Sequence, residues 1–137
     1  MLSRNQGSGA LALVVLIGLL ASGCGSSGTL SAKALSQESS SLKSLAAEGA
    51  LLARDARAGR STRIFRRVHS GYLYKAASKS STSLRTAKTQ PRLDSELRKL
   101  KFLAGRLSTD LNQLGDASQS ELRGLARDLQ VIAGTLE

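Results

Sequence analysis

The side chains able to do chemistry are few, and their spacing narrows what they can do. One cysteine, Cys24, and one histidine, His69, stand in a chain of 137 residues. A single thiol forms no internal disulfide, and one thiol with one imidazole builds no zinc cluster. His69 lies in Arg66-Arg67-Val68-His69-Ser70, without a second histidine for a helical metal pair and without the Glu-x-x-His spacing of di-iron bundles. The Asp and Glu residues are scattered as helix-surface charges are. Neither a glycine-rich phosphate loop nor a Gly-x-Ser-x-Gly elbow occurs. The expectation is therefore a protein that is not an enzyme, with no catalytic residue, metal or cofactor. His69 reads as a surface or groove-lining side chain. Tyr72 and Tyr74 read as core or boundary aromatics.

Cys24 draws its chemistry from what precedes it. Residues 10–21 form an apolar run of 12, Ala-Leu-Ala-Leu-Val-Val-Leu-Ile-Gly-Leu-Leu-Ala, behind a polar start that carries Arg4. A membrane-spanning helix needs about 20 apolar residues, whereas this length suits the hydrophobic region of a secretory signal. Leu20-Ala21-Ser22-Gly23-Cys24 resembles the lipobox of bacterial lipoproteins. The position three before the cysteine is Ala21 where the family usually has Leu, and Leu20 stands one place further back. The resemblance covers the first 24 residues. It implies a diacylglyceryl group on the Cys24 thiol and cleavage just before it. Lipidation also gives a reason for an unpaired cysteine in an exported chain, and two acyl chains meet the requirement for stable anchoring. The competing readings are cleavage at the Ala21-Ser22-Gly23 small-residue site without lipidation, retention as an uncleaved anchor, and a buried core helix of a cytosolic protein. Gly25-Ser-Ser-Gly-Thr29 has the composition of a flexible tether.

The charge is basic, with 20 Lys and Arg against 10 Asp and Glu, and it is unevenly placed. Residues 54–101 hold 14 cations and three acids, Asp55, Asp94 and Glu96, while 102–137 hold three arginines and five acids. Arg54, Arg57, Arg60, Arg63 and Arg66 recur every third residue, and Arg67 follows. A turn near Gly59 brings arginines from two helix ends to one corner. Arginine presents a planar, weakly hydrated fork suited to phosphate and carboxylate. Arg57, Arg60, Arg63, Arg66 and Arg67 are the candidate contact residues for anionic lipid headgroups or a cell-wall polymer. A solvated polar face and a protein partner are the other readings of the same cluster.

The elements that position these residues read as helices. Few β-branched or aromatic residues recur with period two, which disfavours strands. Leu93, Leu97, Leu100, Ala104, Leu107, Leu111 and Leu114 alternate steps of four and three, a heptad seam. Leu122, Leu125, Leu129, Ile132 and Leu136 make a second seam out of phase with the first. Between them, Gly115 suits a helix C-terminus, where a left-handed residue is often needed, and Ser118-Gln-Ser-Glu121 suits a capping box. Upstream, Leu42, Leu45, Leu52 and Ala56 give one face, with Gly49 on the seam. Gly49 fits a close helix approach, a kink or a break. Gly59 ends that helix, Ser61 or Thr62 caps the next, and Phe65, Val68, Tyr72 and Ala76 continue the face. Pro91 fits a first helical turn.

These signals predict helices over 31–58, 62–88, 91–114 and 118–136, joined by short connections that favour antiparallel neighbours. The fold class is all-α: a four-helix up-down bundle, or three helices if the serine-rich stretch 36–44 is disordered. Serines at 78–83 mark a second weak patch. The domains are a signal peptide at 1–23, an anchor and tether at 24–30 and a helical domain at 31–137. The expected function is an exported envelope lipoprotein. It is held by Cys24 on the outer face of the cell membrane or in the outer membrane, and its bundle is an interaction or structural module. The leucine seams leave a homo-oligomer open. A cytosolic nucleic-acid-binding protein fits the basic balance but leaves the apolar run unexplained and lacks stacking aromatics. A ligand carrier using the bundle interior has no residue that marks a ligand.

Overall fold

The computed structural model describes residues 29–136. The signal and lipidation readings at 1–24 lie outside the described residues. Four helices follow in order: α1 (Ala32–Arg57), α2 (Arg63–Thr86), α3 (Asp94–Leu114) and α4 (Gln119–Thr135), with a 3-10 turn at Pro91–Leu93 leading into α3. They form a four-helix bundle, and the serine-rich stretches 36–44 and 78–83 are helical within α1 and α2.

Local chemistry sets each boundary. Ser31 caps α1 by accepting from Ala34 N at 3.2 Å, and Thr62 caps α2 by accepting from Phe65 N at 3.2 Å. Gly59, at φ 70°, takes the left-handed conformation that ends α1. Pro91 opens the turn before α3, whose first turn carries Asp94 and Glu96 at the positive end of the helix dipole. At α4 the capping box is complete: Glu121 N donates to Ser118 Oγ, and Ser118 N donates to Glu121 Oε2 at 2.7 Å.

Neighbouring helices run antiparallel. Ser39 Oγ, early in α1, donates to Leu136 O, just beyond α4, at 3.2 Å, and Gln119 Nε2 reaches Ala56 O at the other end. The closest packed pairs are α1 with α4 and α2 with α3. Helices α1 and α3 meet across the centre, and α4 lies diagonally opposite α2. Residue size explains the closeness of α1. Its buried stripe includes Ala46, Gly49, Ala50, Ala53 and Ala56, and the facing volume is filled by Leu107, Leu111, Leu122, Leu129 and Ile132. Helix α1 runs unbroken through Gly49. A Cβ there would stand 2.6 Å from Leu111 Cδ2 and 3.2 Å from Leu129 Cδ1, so close approach is the reason for that glycine.

Two expectations are corrected. Gly115 does stand at the C-terminal cap of α3, but it is right-handed helical (φ −59°, ψ −40°) rather than left-handed. What it provides is proximity: a Cβ would lie 2.9 Å from Ser70 Oγ and 3.4 Å from Arg67 Cα on α2. The second correction is larger. Phe65, Val68, Tyr72 and Ala76 face solvent. The buried face of α2 is Ser70, Leu73, Ala77 and Leu84, a seam with heptad spacing built from mostly small residues. The two leucine seams of α3 and α4 are buried throughout, apart from a half-buried Leu93.

Candidate functional site

The five candidate arginines come to one end of the bundle, where α1 ends, α2 begins and α3 turns into α4. They are not equivalent. Arg66 turns inward: its Nε donates to Gly115 O at 3.1 Å and its Nη2 to Ala117 O at 3.1 Å. These are carbonyls at the end of α3 that the helix cannot satisfy itself, and a cation there also meets the negative end of the dipole. Arg66 is thus a structural cap. Arg67 and Arg63 hold Asp116. Arg67 donates from Nε at 3.1 Å and also from Nη2, and Arg63 Nη2 lies at 3.5 Å. The Arg67 hydrogen bond, more than any other cause, keeps the Asp116 carboxyl below its ordinary range. Arg60 donates to Asp55 Oδ1 from Nη2 at 2.6 Å and from Nε at 3.1 Å. Arg57 is exposed beside Gln119, Ser120 and Arg123.

The same device works in reverse at the opposite end. Lys101 of α3 donates from Nζ to Arg85 O and Ala87 O, both at 3.2 Å, closing the C-terminus of α2. Helices α2 and α3 therefore cap each other. At that end Leu30 N donates to Lys88 O at 2.7 Å, and Leu30 pairs with Thr89 in an isolated bridge. Leu30, six residues after Cys24 in sequence, thus lies beside the end of α2.

The outward face of α2 is where sequence reasoning missed most. Ile64, Val68 and Tyr72 follow one another at i, i+4 and i+8, which places them on one helix face. They are 79%, 54% and 67% exposed, and Phe65 beside them is 54% exposed. Arg63, Ile64, Arg67 and Val68 border a surface recess of about 250 Å³. Lys75 and Lys79, also exposed, continue the face toward the other end. Helix α2 contains six Lys and Arg and no Asp or Glu. The signal was in the sequence as two competing periodic stripes on one helix. The outward stripe has the larger side chains, and size is what drew the wrong inference.

His69 borders this face. It is half-buried and stacks on Phe65 with ring centroids 5.4 Å apart and planes 9° from parallel. Its Nε2 lies 2.7 Å from Glu48 Oε1, tying α2 to α1. Ser80 Oγ donates to Glu38 further along the same seam, and Thr89 Oγ1 donates to Asp94 Oδ1 at 2.7 Å. On α3, Asp110 has a buried Oδ2 with no hydrogen-bond partner. Burial raises its carboxyl above the ordinary range, Arg106 opposes the shift and Asp128 adds to it. Among the described residues no group of three or more His, Cys, Asp or Glu is arranged to hold a metal ion, and no helix is long and apolar enough to cross a membrane.

No protein-family model matches the chain, and neither curated proteins nor solved structures yield a match.

Proposed function

We propose that this chain is an exported lipoprotein, anchored in the cell envelope through acylated Cys24, whose helical bundle is a non-enzymatic contact module with a basic surface. The observation that carries the anchor is the apolar run and small residues ahead of the lone thiol. The observation that supports a contact module is the use of the ionisable side chains. Asp116, Glu121, Glu48, Glu38 and Asp94 each hold one element to another or close a helix end. The cations outnumber them and extend into solvent along α2.

The test of the anchor is fractionation of bacteria expressing the full chain or Cys24→Ala. The proposal expects the native chain in the envelope membranes and the variant released from them. Equal retention of both would remove the lipid anchor. Recovery of the native chain in the cytosol would favour nucleic acid as the partner of the basic surface.

A further inference from the structure

We infer that the outward face of α2 is a bilayer-contact surface. Ile64, Phe65, Val68 and Tyr72 enter the boundary between headgroups and acyl chains of an anionic membrane, and Arg63, Arg67, Lys75 and Lys79 lie against its phosphates. The inference deepens the proposed anchoring and rests on it, because an anchored chain has a bilayer within reach.

The argument starts from an inversion. A helix in a water-soluble bundle normally turns its largest apolar side chains inward. Here α2 buries Ser70, Leu73, Ala77 and Leu84, and exposes an isoleucine, a phenylalanine, a valine and a tyrosine on one face. Contiguous exposed apolar residues rimmed by charge mark an interaction surface. A large apolar stripe beside Lys and Arg is the composition of helices that lie in the membrane interface.

Charge selects the occupant. A second copy docked through this face would set Arg63, Arg67, Lys75 and Lys79 against their own duplicates, and α2 has no acid to relieve them. An anionic lipid surface meets the same cations with opposite charge. Asp116 takes up part of the charge of Arg63 and Arg67, while Lys75 and Lys79 extend from the face with no carboxylate partner among the described residues. Geometry agrees. The Leu30–Lys88 hydrogen bond puts Leu30, where the described chain begins to enter α1, beside the C-terminal end of α2. The six residues from Leu30 back to Cys24 cannot exceed about 20 Å. The bundle would lie on its side, with Lys88 nearest the anchor, then Lys79 and Lys75, and the apolar stripe furthest out.

The chain has no tryptophan, so one introduced indole reports depth unambiguously. The full chain carrying Tyr72→Trp is reconstituted with vesicles of phosphatidylcholine containing phosphatidylglycerol, or of phosphatidylcholine alone. Val131→Trp on α4, across the bundle and also exposed, is the comparison. The inference expects a blue-shifted emission from position 72, quenched about twofold by brominated lipid, on anionic vesicles only. It expects no change at position 131. Lys75→Glu with Lys79→Glu, both exposed, should abolish the shift. Flotation reads the anchor separately. Protein that floats with vesicles while its indole at 72 stays unquenched overturns the α2 face and leaves the anchor standing. Quenching at 72 that persists in Cys24→Ala leaves the face standing without the anchor. Absence of flotation on either vesicle overturns both. A blue shift without vesicles that grows with protein concentration overturns the face as a lipid site and assigns it to a second copy.

Discussion

Glycine positions show how steeply single atoms matter in this bundle. Gly49 faces Leu111 and Leu129, both fully buried. Gly49→Ala gains up to about 1 kcal/mol of helix propensity, but overpacking a filled core costs about 1–3 kcal/mol. The net expectation is a loss, read as a lower denaturation midpoint with an unchanged slope. Gly124→Ala, inside α4 with nothing near the added methyl, should instead gain about 0.5–1 kcal/mol in the same measurement. Two carboxylates make opposite pH predictions. Asp110 has a folded pKa raised above 3.8, so its charge opposes folding at neutral pH, and that cost fades as pH falls through the folded value. Asp110→Asn should raise the melting temperature at neutral pH and give no gain once the pH is below 3.8. Asp116 has a folded pKa below 3.8, so its contribution is present above that value and disappears as acid protonates it. Asp116→Asn should lower the melting temperature at neutral pH and match the native protein in strong acid.

At the scale of elements, α2 and α3 depend on each other's side chains for their ends. Arg66 satisfies two carbonyls beyond α3, and Lys101 two at the end of α2. Charged hydrogen bonds of this kind contribute about 1.5–3 kcal/mol. Arg66→Ala should therefore destabilise by about that amount in chemical denaturation. Arg66→Lys should recover only part, because one ammonium does not reproduce a two-nitrogen fork. Arg57→Ala, with an exposed side chain at the same end of the bundle, should leave stability unchanged. This contrast separates arginines that hold the fold from those available for contact. Sequence spacing alone shows five similar residues.

Over the whole molecule, legibility followed side-chain size. Helices α3 and α4 were readable to within a few residues because leucine repeats along both seams, and the Ser118–Glu121 box marks where the second begins. The spacing around Gly49 fits close packing, a kink or a break alike, since a one-dimensional pattern cannot show that Leu111 and Leu129 meet there. The pattern along α2 marks its span but points to the wrong face, because Ser70 and Ala77 are weak signals beside Phe65, Val68 and Tyr72. The cap made by Arg66 was not readable either, since its carbonyl partners lie 49 and 51 residues away along the chain. The resulting molecule has its arginine-rich end far from Leu30 and the C-terminal end of α2. Helix α1 alone, 26 residues long, separates the two ends by about 39 Å. The proposed bilayer contact would bring both ends to the lipid, and each cation near an anionic surface would add about 1 kcal/mol to that arrangement.

The anchor at Cys24 is the claim on which the location of every other contact depends. The mass of the N-terminal peptide from membrane-fraction protein, measured beside Cys24→Ala, tests it most directly. The account predicts a peptide that begins at Cys24 and carries a diacylglyceryl modification, absent from the variant. An unmodified peptide beginning at Met1, from protein in the soluble cytosolic fraction, would contradict it.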